Sequence, residues 1–446
     1  MRKWLLLLLA AAVLAAGVVA VVVVRQPAAD RPASQPTTSP SPDLDPVRSP
    51  LLAAAGTTAP LPSGAAVLRA IAPALAAPLI RGKVALSVID VDSGQSLVDL
   101  KGSSAAVPAS TAKLATALAA LTVLPPDLRL VTRVVAGAPG DVVLVGGGDP
   151  TLLAPGTRSG YPRPARLADL AAQLVKLGRP VRRVLVDDRL YAGARTGPGW
   201  KPVYVSDGDV APVTALELHG RQPPDPALDT GRQLAALLHV KAPVVRGAPP
   251  AGAAELARVS SPPVPALVEM MLATSDNDLA EALGRQVALA ARLPATFAGE
   301  VAATTAALEP LLRQAGLGTD AVVLRDASGL STLDRVQPAG LARLLAVAAK
   351  DGRFGPLLSG LPVAGFDGTL ADRYRTGPTA TAAGEVRAKT GTLTGVSALA
   401  GLVRTRSGRL LAFDLTANGL PDKGAGKAPA ALDAIAAALA GCGCAA

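Results

Sequence analysis

Apolar residues recur along this chain with two different periods. Residues 84–91 (VALSVIDV) read as a strand, residues 92–94 as a turn and residues 95–100 as a second strand. Residues 61–80 include a helical pattern. Leu114, Ala117, Leu118 and Leu121 recur at helical spacing, which predicts a helix that starts at Ser110 and stops at Pro125-Pro126. Residues 266–290 are mostly helical, with a break at Ser275-Asp276-Asn277. Three strands follow near the C-terminus, at 386–390, 396–405 and 410–416, and a helix at 430–439 closes the pattern. A strand pair, helices, three strands and a helix predict an α+β fold. Its antiparallel sheet draws strands from both ends of the chain and has helices packed on it.

The stretch from 131 to 250 breaks that order. Short β-like runs such as 184–187 alternate there with turns rich in Gly, Pro and Asp, as expected of an inserted β-rich domain. Gly146-Gly147-Gly148 is not followed by the lysine and hydroxyl of a phosphate-binding loop, so it reads as a tight turn. The expected organisation is a membrane signal anchor or signal peptide at 1–25, a Pro/Ser/Thr-rich linker at 26–62, a first part of the main domain at 63–130, the insertion at 131–250, and the rest at 251–446.

The front end rests on Arg2 and Lys3 followed by residues 5–24, which carry no charged or polar side chain. That run is long enough to cross a bilayer core of about 30 Å, and no small-x-small cleavage site follows it. An uncleaved anchor is therefore favoured over a cleaved signal, and either one exports the rest of the chain. The net charge of +10 fits attraction to anionic wall polymers or lipid head groups, but is better read as Arg spread over a solvated surface. There is no dense basic run with interleaved aromatics, which argues against nucleic acid. Only 2% of residues are aromatic, so Ala, Leu and Val must build the core. Cys442 and Cys444 lack zinc-ligand spacing and read as a tail feature.

Three short stretches carry candidate chemistry. Ser110-x-x-Lys113 places a hydroxyl and an amine on one helix face, where the amine can take the hydroxyl proton if burial keeps it neutral. Ser275-Asp276-Asn277 offers a proton relay and an amide at the helix break. Lys389-Thr390-Gly391-Thr392 lies on a predicted strand and offers a second cation, a hydroxyl for a substrate carboxylate, and a glycine past which a substrate backbone can approach. Taken singly, each has a blander reading: a helix cap with a surface lysine, an ordinary turn, and a strand end.

Each stretch occurs once, and their order resembles that of the serine penicillin-recognising enzymes. Further segments make the chain similar to the low-molecular-mass class C penicillin-binding proteins, which are D-alanyl-D-alanine carboxypeptidases/endopeptidases. These segments are residues 146–152 (GGGDPTL), 187–191 (DDRLY), 197–200 (GPGW), 325–331 (RDASGLS, with Ala327 where the family has glycine) and 361–370 (LPVAGFDGTL). The long gap between Lys113 and Ser275 is where that family carries its insertion.

The resemblance spans residues 63–440. It implies a β-lactamase/transpeptidase-like sheet with helices on both faces and a β-rich insertion between the first two motifs. It also implies that Ser110 is an acylated nucleophile, Lys113 its base, Ser275 and Asn277 cleft residues, and Lys389 and Thr390 carboxylate ligands. The N–H groups of Ser110 and Thr392 would form an oxyanion hole beside Gly391. No metal or cofactor is implied. The expected partners are peptidoglycan peptides, β-lactam antibiotics and, through the N-terminal segment, the membrane outside the cytoplasm. A β-lactamase with the same constellation and an idle, membrane-tethered wall-binding protein remain as alternatives. The balance of carboxypeptidase and endopeptidase activity is not legible.

Overall fold

Helix α1 (Gly64–Leu75) leads into strands β1 (Val84–Asp90) and β2 (Ser96–Leu100), and a single 3-10 turn (Ala109–Ala112) runs straight into α2 (Lys113–Val123). This computed structural model describes residues 59–157, 162–421 and 425–443. The expected anchor at 5–24, most of the linker and Cys444 lie outside the described residues. Among the described residues no helix is long and apolar enough to cross a membrane.

Beyond α2 the chain builds β3 (Val131–Ala136), β4 (Asp141–Val145), β5 (Arg183–Asp187), β6 (Val245–Arg246) and β7 (Glu255–Ser260). These form their own five-stranded sheet in the order β6-β5-β4-β3-β7. The region has the strands that its β-like runs imply, but it carries as much helix as strand, and its sheet differs from that reading in two ways. The β4-β5 and β5-β6 pairs are parallel. Parallel neighbours need crossover connections, and helices Leu167–Lys176 and Pro226–Leu237 supply them and share the sheet's apolar core. The sheet also takes in β7, which lies past residue 250.

The chain then returns through α3 (Val264–Thr274), α4 (Asn277–Ala290) and α5 (Phe297–Gln314), a short ribbon of β8 (Val322–Val323) and β9 (Arg335–Val336), and α6 (Pro338–Ala348). It ends in β10 (Val386–Leu393), β11 (Val396–Arg404), β12 (Leu410–Asn418) and α7 (Ala428–Ala440).

The main sheet has the order β10-β11-β12-β1-β2 and is antiparallel throughout. As expected, its strands come from both ends of the chain. Successive side chains point to opposite faces, and both faces are covered. Leu399, Val403, Leu411 and Phe413 pack with α1 and α7 on one side, and buried Cys442 joins this core. Ala400, Leu402, Ala412 and Ile89 pack with helices α2 to α6 on the other. This is why β11 is buried over eight consecutive residues with no polar face.

Strand β10 lies at the sheet edge, and the loop before it covers half of that edge. Ala364 N donates to Val386 O and Ala388 N to Pro362 O, both at 2.9 Å. Groups on one edge of a strand recur every second residue, so the N–H groups of Thr390 and Thr392 face the same side beyond the cover.

Gly146-Gly147-Gly148 is a tight crossing, as read. Gly148 adopts φ +82°, and a Cβ on Gly147 would sit 2.0 Å from the Val131 carbonyl oxygen. Gly147→Ala is therefore expected to destabilise the protein by about 2 kcal/mol or more, measured by denaturant unfolding. Gly352→Ala, which meets nothing within 4 Å, serves as the near-neutral control.

Candidate active site

Ser110 lies in the 3-10 turn ahead of α2, not at a capping position, and no side chain caps that helix. The turn is held tightly. Ala109 adopts φ +50°, which costs a residue with a side chain of order 1–3 kcal/mol. Two glycines make room for it. A Cβ on Gly329 would lie 2.0 Å from Ala109 O, and one on Gly391 would lie 2.8 Å from Pro108 O and 3.1 Å from Ser110 N. Gly391 thus lets the chain's own Ser110 turn approach β10; the sequence reading had given that space to a substrate backbone.

One turn on, Lys113 is fully buried. Its Nζ donates to Asn277 Oδ1 at 2.6 Å and to the Ser328 carbonyl at 2.7 Å, and lies 3.0 Å from Ser110 Oγ. Burial is the main force lowering its pKa to about 8. The charges of Asp326, Glu281, Asp276 and Asp278 oppose that shift.

The break between α3 and α4 brings the second motif in. Ser275 ends α3 with φ +60°, and Asp276 caps α4 by accepting from Leu279 N at 2.8 Å. The bland reading of this stretch as a cap or turn is therefore right for the backbone, with Ser275 as C-cap of α3 and Asp276 as N-cap of α4. The flanking side chains turn into the site. Ser275 Oγ accepts from Lys389 Nζ at 2.8 Å, and Asn277 Nδ2 donates to the Asp209 carbonyl at 2.8 Å while its Oδ1 meets Lys113.

Lys389 is also fully buried and donates a second hydrogen bond to Thr390 O at 2.7 Å. Burial, and then the Lys113 charge, push its pKa well below the usual lysine value. Thr390 Oγ1 bonds Thr369 Oγ1 at 2.9 Å, from the loop that covers the edge of β10. Thr392 is exposed at the mouth.

The structure thus gathers Ser110, Lys113, Ser275, Asn277, Lys389, Thr390, Gly391 and Thr392 around one cleft. Such an arrangement can take a proton from a hydroxyl through Lys113, with the second amine, Lys389, held behind Ser275. Among the described residues no group of His, Cys, Asp or Glu has the geometry to hold a metal ion.

Sequence reasoning gave no role to the turn at 326–331. Asp326 accepts there from Gly329 N at 2.8 Å and Ser331 N at 2.7 Å. Glu281 of α4 accepts from Ser328 N at 2.8 Å and Ala327 N at 3.2 Å. Its pKa is raised to about 7, first by burial and then by Asp326. Both carboxyl groups hold the turn whose carbonyl meets Lys113. The sequence offers the Asp-Ala-Ser-Gly run only as a segment similar to the family's, because a backbone acceptor has no sequence signal.

The model of the D-Ala-D-Ala carboxypeptidase 3 (S13) family matches residues 67–232 and 220–439. A carboxypeptidase of Mycobacterium tuberculosis and carboxypeptidase DacB of Mycolicibacterium smegmatis are each 39% identical over 406 residues, covering 87% of this chain and 86% of theirs. Among solved structures, penicillin binding protein 4 (dacB) of Haemophilus influenzae shares the fold with a TM-score of 0.66 at 21% identity, over 84% of this chain and 98% of that one. With the motif residues meeting in one cleft and the match running from α1 to α7, the chain belongs to the S13 family of D-Ala-D-Ala carboxypeptidases.

Proposed function

We propose that Ser110 is the acylated nucleophile of a serine-type D-Ala-D-Ala carboxypeptidase acting on peptidoglycan stem peptides. The observation that carries this reading is the environment of Lys113: fully buried, 3.0 Å from Ser110 Oγ, with acceptors on its other sides. Ser110 Oγ attacks the carbonyl of the scissile D-Ala-D-Ala bond while Lys113 takes its proton. The oxyanion that forms is held by the N–H groups of Ser110 and Thr392. The edge-facing position of Thr392 on β10 and the close approach of Gly391 to Ser110 N support this pairing. Loss of one such donor typically costs on the order of 10²–10³ in rate.

The terminal carboxylate sits against Lys389 and Thr390. The proton taken by Lys113 passes through Ser275, bonded to Lys389, to the departing D-Ala amine, so that Lys113 is neutral again and Ser275 keeps its hydroxyl. Water then attacks the acyl-enzyme, giving a proton to Lys113, which returns it to Ser110 Oγ as the acid product leaves. A β-lactam enters by the same attack and leaves slowly. The same centre also serves cleavage of cross-links. Mass spectrometry of products from defined muropeptides separates release of terminal D-Ala from release of a cross-linked partner.

We place the enzyme outside the cytoplasm, with the apolar run at 5–24 as tether and the Pro-rich residues 26–62 as spacer. We likewise read residues 131–250 as a domain inserted into the peptidase domain at 63–130 and 251–446.

Ser110→Ala is expected to abolish labelling by a fluorescent penicillin while circular dichroism stays unchanged. Labelling that persists refutes the nucleophile, and rapid turnover of free penicillin refutes the peptidase. Lys113→Ala is expected to slow acylation by about 10²–10⁴. The base form of Lys113 is the one that works, so the acylation rate should climb as pH rises through about 8, where Lys113 loses its proton. Stopped-flow acylation across that range checks the sign, and a rate that falls there refutes it.

A further inference from the structure

Residues 197–211 lie in the segment between the first two motifs, yet they reach the surroundings of Lys113 from two sides. On one side the Asp209 carbonyl holds Asn277 Nδ2 at 2.8 Å, so that Asn277 Oδ1 faces Lys113. On the other, Trp200 Nε1 donates to Asp326 Oδ2 at 2.6 Å. That carboxylate gathers Gly329 N and Ser331 N and so shapes the turn that presents Ser328 O to Lys113. The same segment grips the turn again, because Ser331 Oγ donates to Pro198 O at 2.7 Å and Thr332 Oγ1 to Gly199 O at 3.1 Å. Trp200 is itself seated edge-on against Phe297, with ring centroids 5.6 Å apart.

The chemistry of a neutral amine gives these contacts a purpose. It has two hydrogens and one lone pair. With Asn277 Oδ1 and Ser328 O each taking a hydrogen of Lys113, the lone pair is left for Ser110 Oγ. If either acceptor moves, the amine can turn and spend a hydrogen on the serine, and the proton transfer is lost. We propose that Trp200 is a positioning residue for acylation: its indole N–H fixes the Asp326 turn, and the turn aims the Lys113 lone pair at Ser110. The middle segment of the chain thereby completes the catalytic centre.

This inference rests on Lys113 being the base, and the test keeps the two separable. The charged groups facing Lys113 are Asp326, Glu281 on α4, Asp276 and Asp278 at the helix break, and Lys389 on β10. All of them remain when Trp200 is replaced, and Asp326 keeps its bonds to Gly329 N and Ser331 N while losing the one from the indole. The measurement is acylation of the full chain by a fluorescent penicillin, over concentration and across the pH range of the Lys113 titration. It compares wild type, Trp200→Phe, and a chain carrying 3-benzothienylalanine at 200, which keeps the ring shape and lacks only the N–H.

The saturating acylation rate is expected to fall about tenfold in both variants. The half-saturating concentration stays within about twofold, and the midpoint of the pH profile does not move. Asp326→Asn, which removes a charge that opposes deprotonation of Lys113, moves the midpoint to lower pH. If Trp200→Phe unfolds, the benzothienyl chain decides. Wild-type rates in that chain at every pH overturn the proposal, as does a change confined to half-saturation. Normal acylation of Lys113→Ala overturns the functional reading instead.

Discussion

Two lysines buried to zero exposure, neither donating to a carboxylate, set the terms for this fold. An ammonium taken out of water without a counter-ion costs several kcal/mol, and the usual response is a lowered pKa. Here the protein meets that cost with neutral acceptors: an amide oxygen, two backbone carbonyls and a serine hydroxyl. They come from three parts of the chain, so α2, the break between α3 and α4, the turn at 326–331 and the edge strand β10 must all arrive before both amines have their places. The site is therefore also a long-range constraint on folding.

The carboxylates lie one layer further out. Asp326 and Glu281 bind backbone N–H groups of the turn, so their charge reaches Lys113 at a distance and holds its pKa near 8 against the downward push of burial. A directly paired carboxylate would have kept the lysine charged and useless as a base. Arg285 is buried among the same acidic groups, against Glu300 at 3.0 Å and stacked on Phe297 at 4.1 Å, which balances part of their charge.

Much of this was legible because it rests on side chains with a period or a spacing. Short apolar runs bounded by turns located all five strands of the main sheet, and the three motifs located the site. What was not legible depends on backbone. Ser328 O and Asp209 O carry no residue signature, and the parallel pairing of β4, β5 and β6 cannot be told from antiparallel pairing by short apolar runs. Gly391 has a use that its place on a strand does not reveal: it admits the backbone of the Ser110 turn. Ser110 was expected at a helix cap, and the strained Ala109 turn that lifts it out of that position follows from tertiary contacts with two distant glycines.

The half-covered edge of β10 has a meaning beyond substrate binding. An unpaired strand edge invites other strands, which is how sheets aggregate. Residues 362–364 close the first half of this edge. The remainder, at Thr390 and Thr392, is short and borders the Ser110 turn, with one carbonyl already engaged by Lys389. Only a few residues of extended chain can pair along an edge that short. A hazard of sheet architecture has been cut down to the length of its substrate.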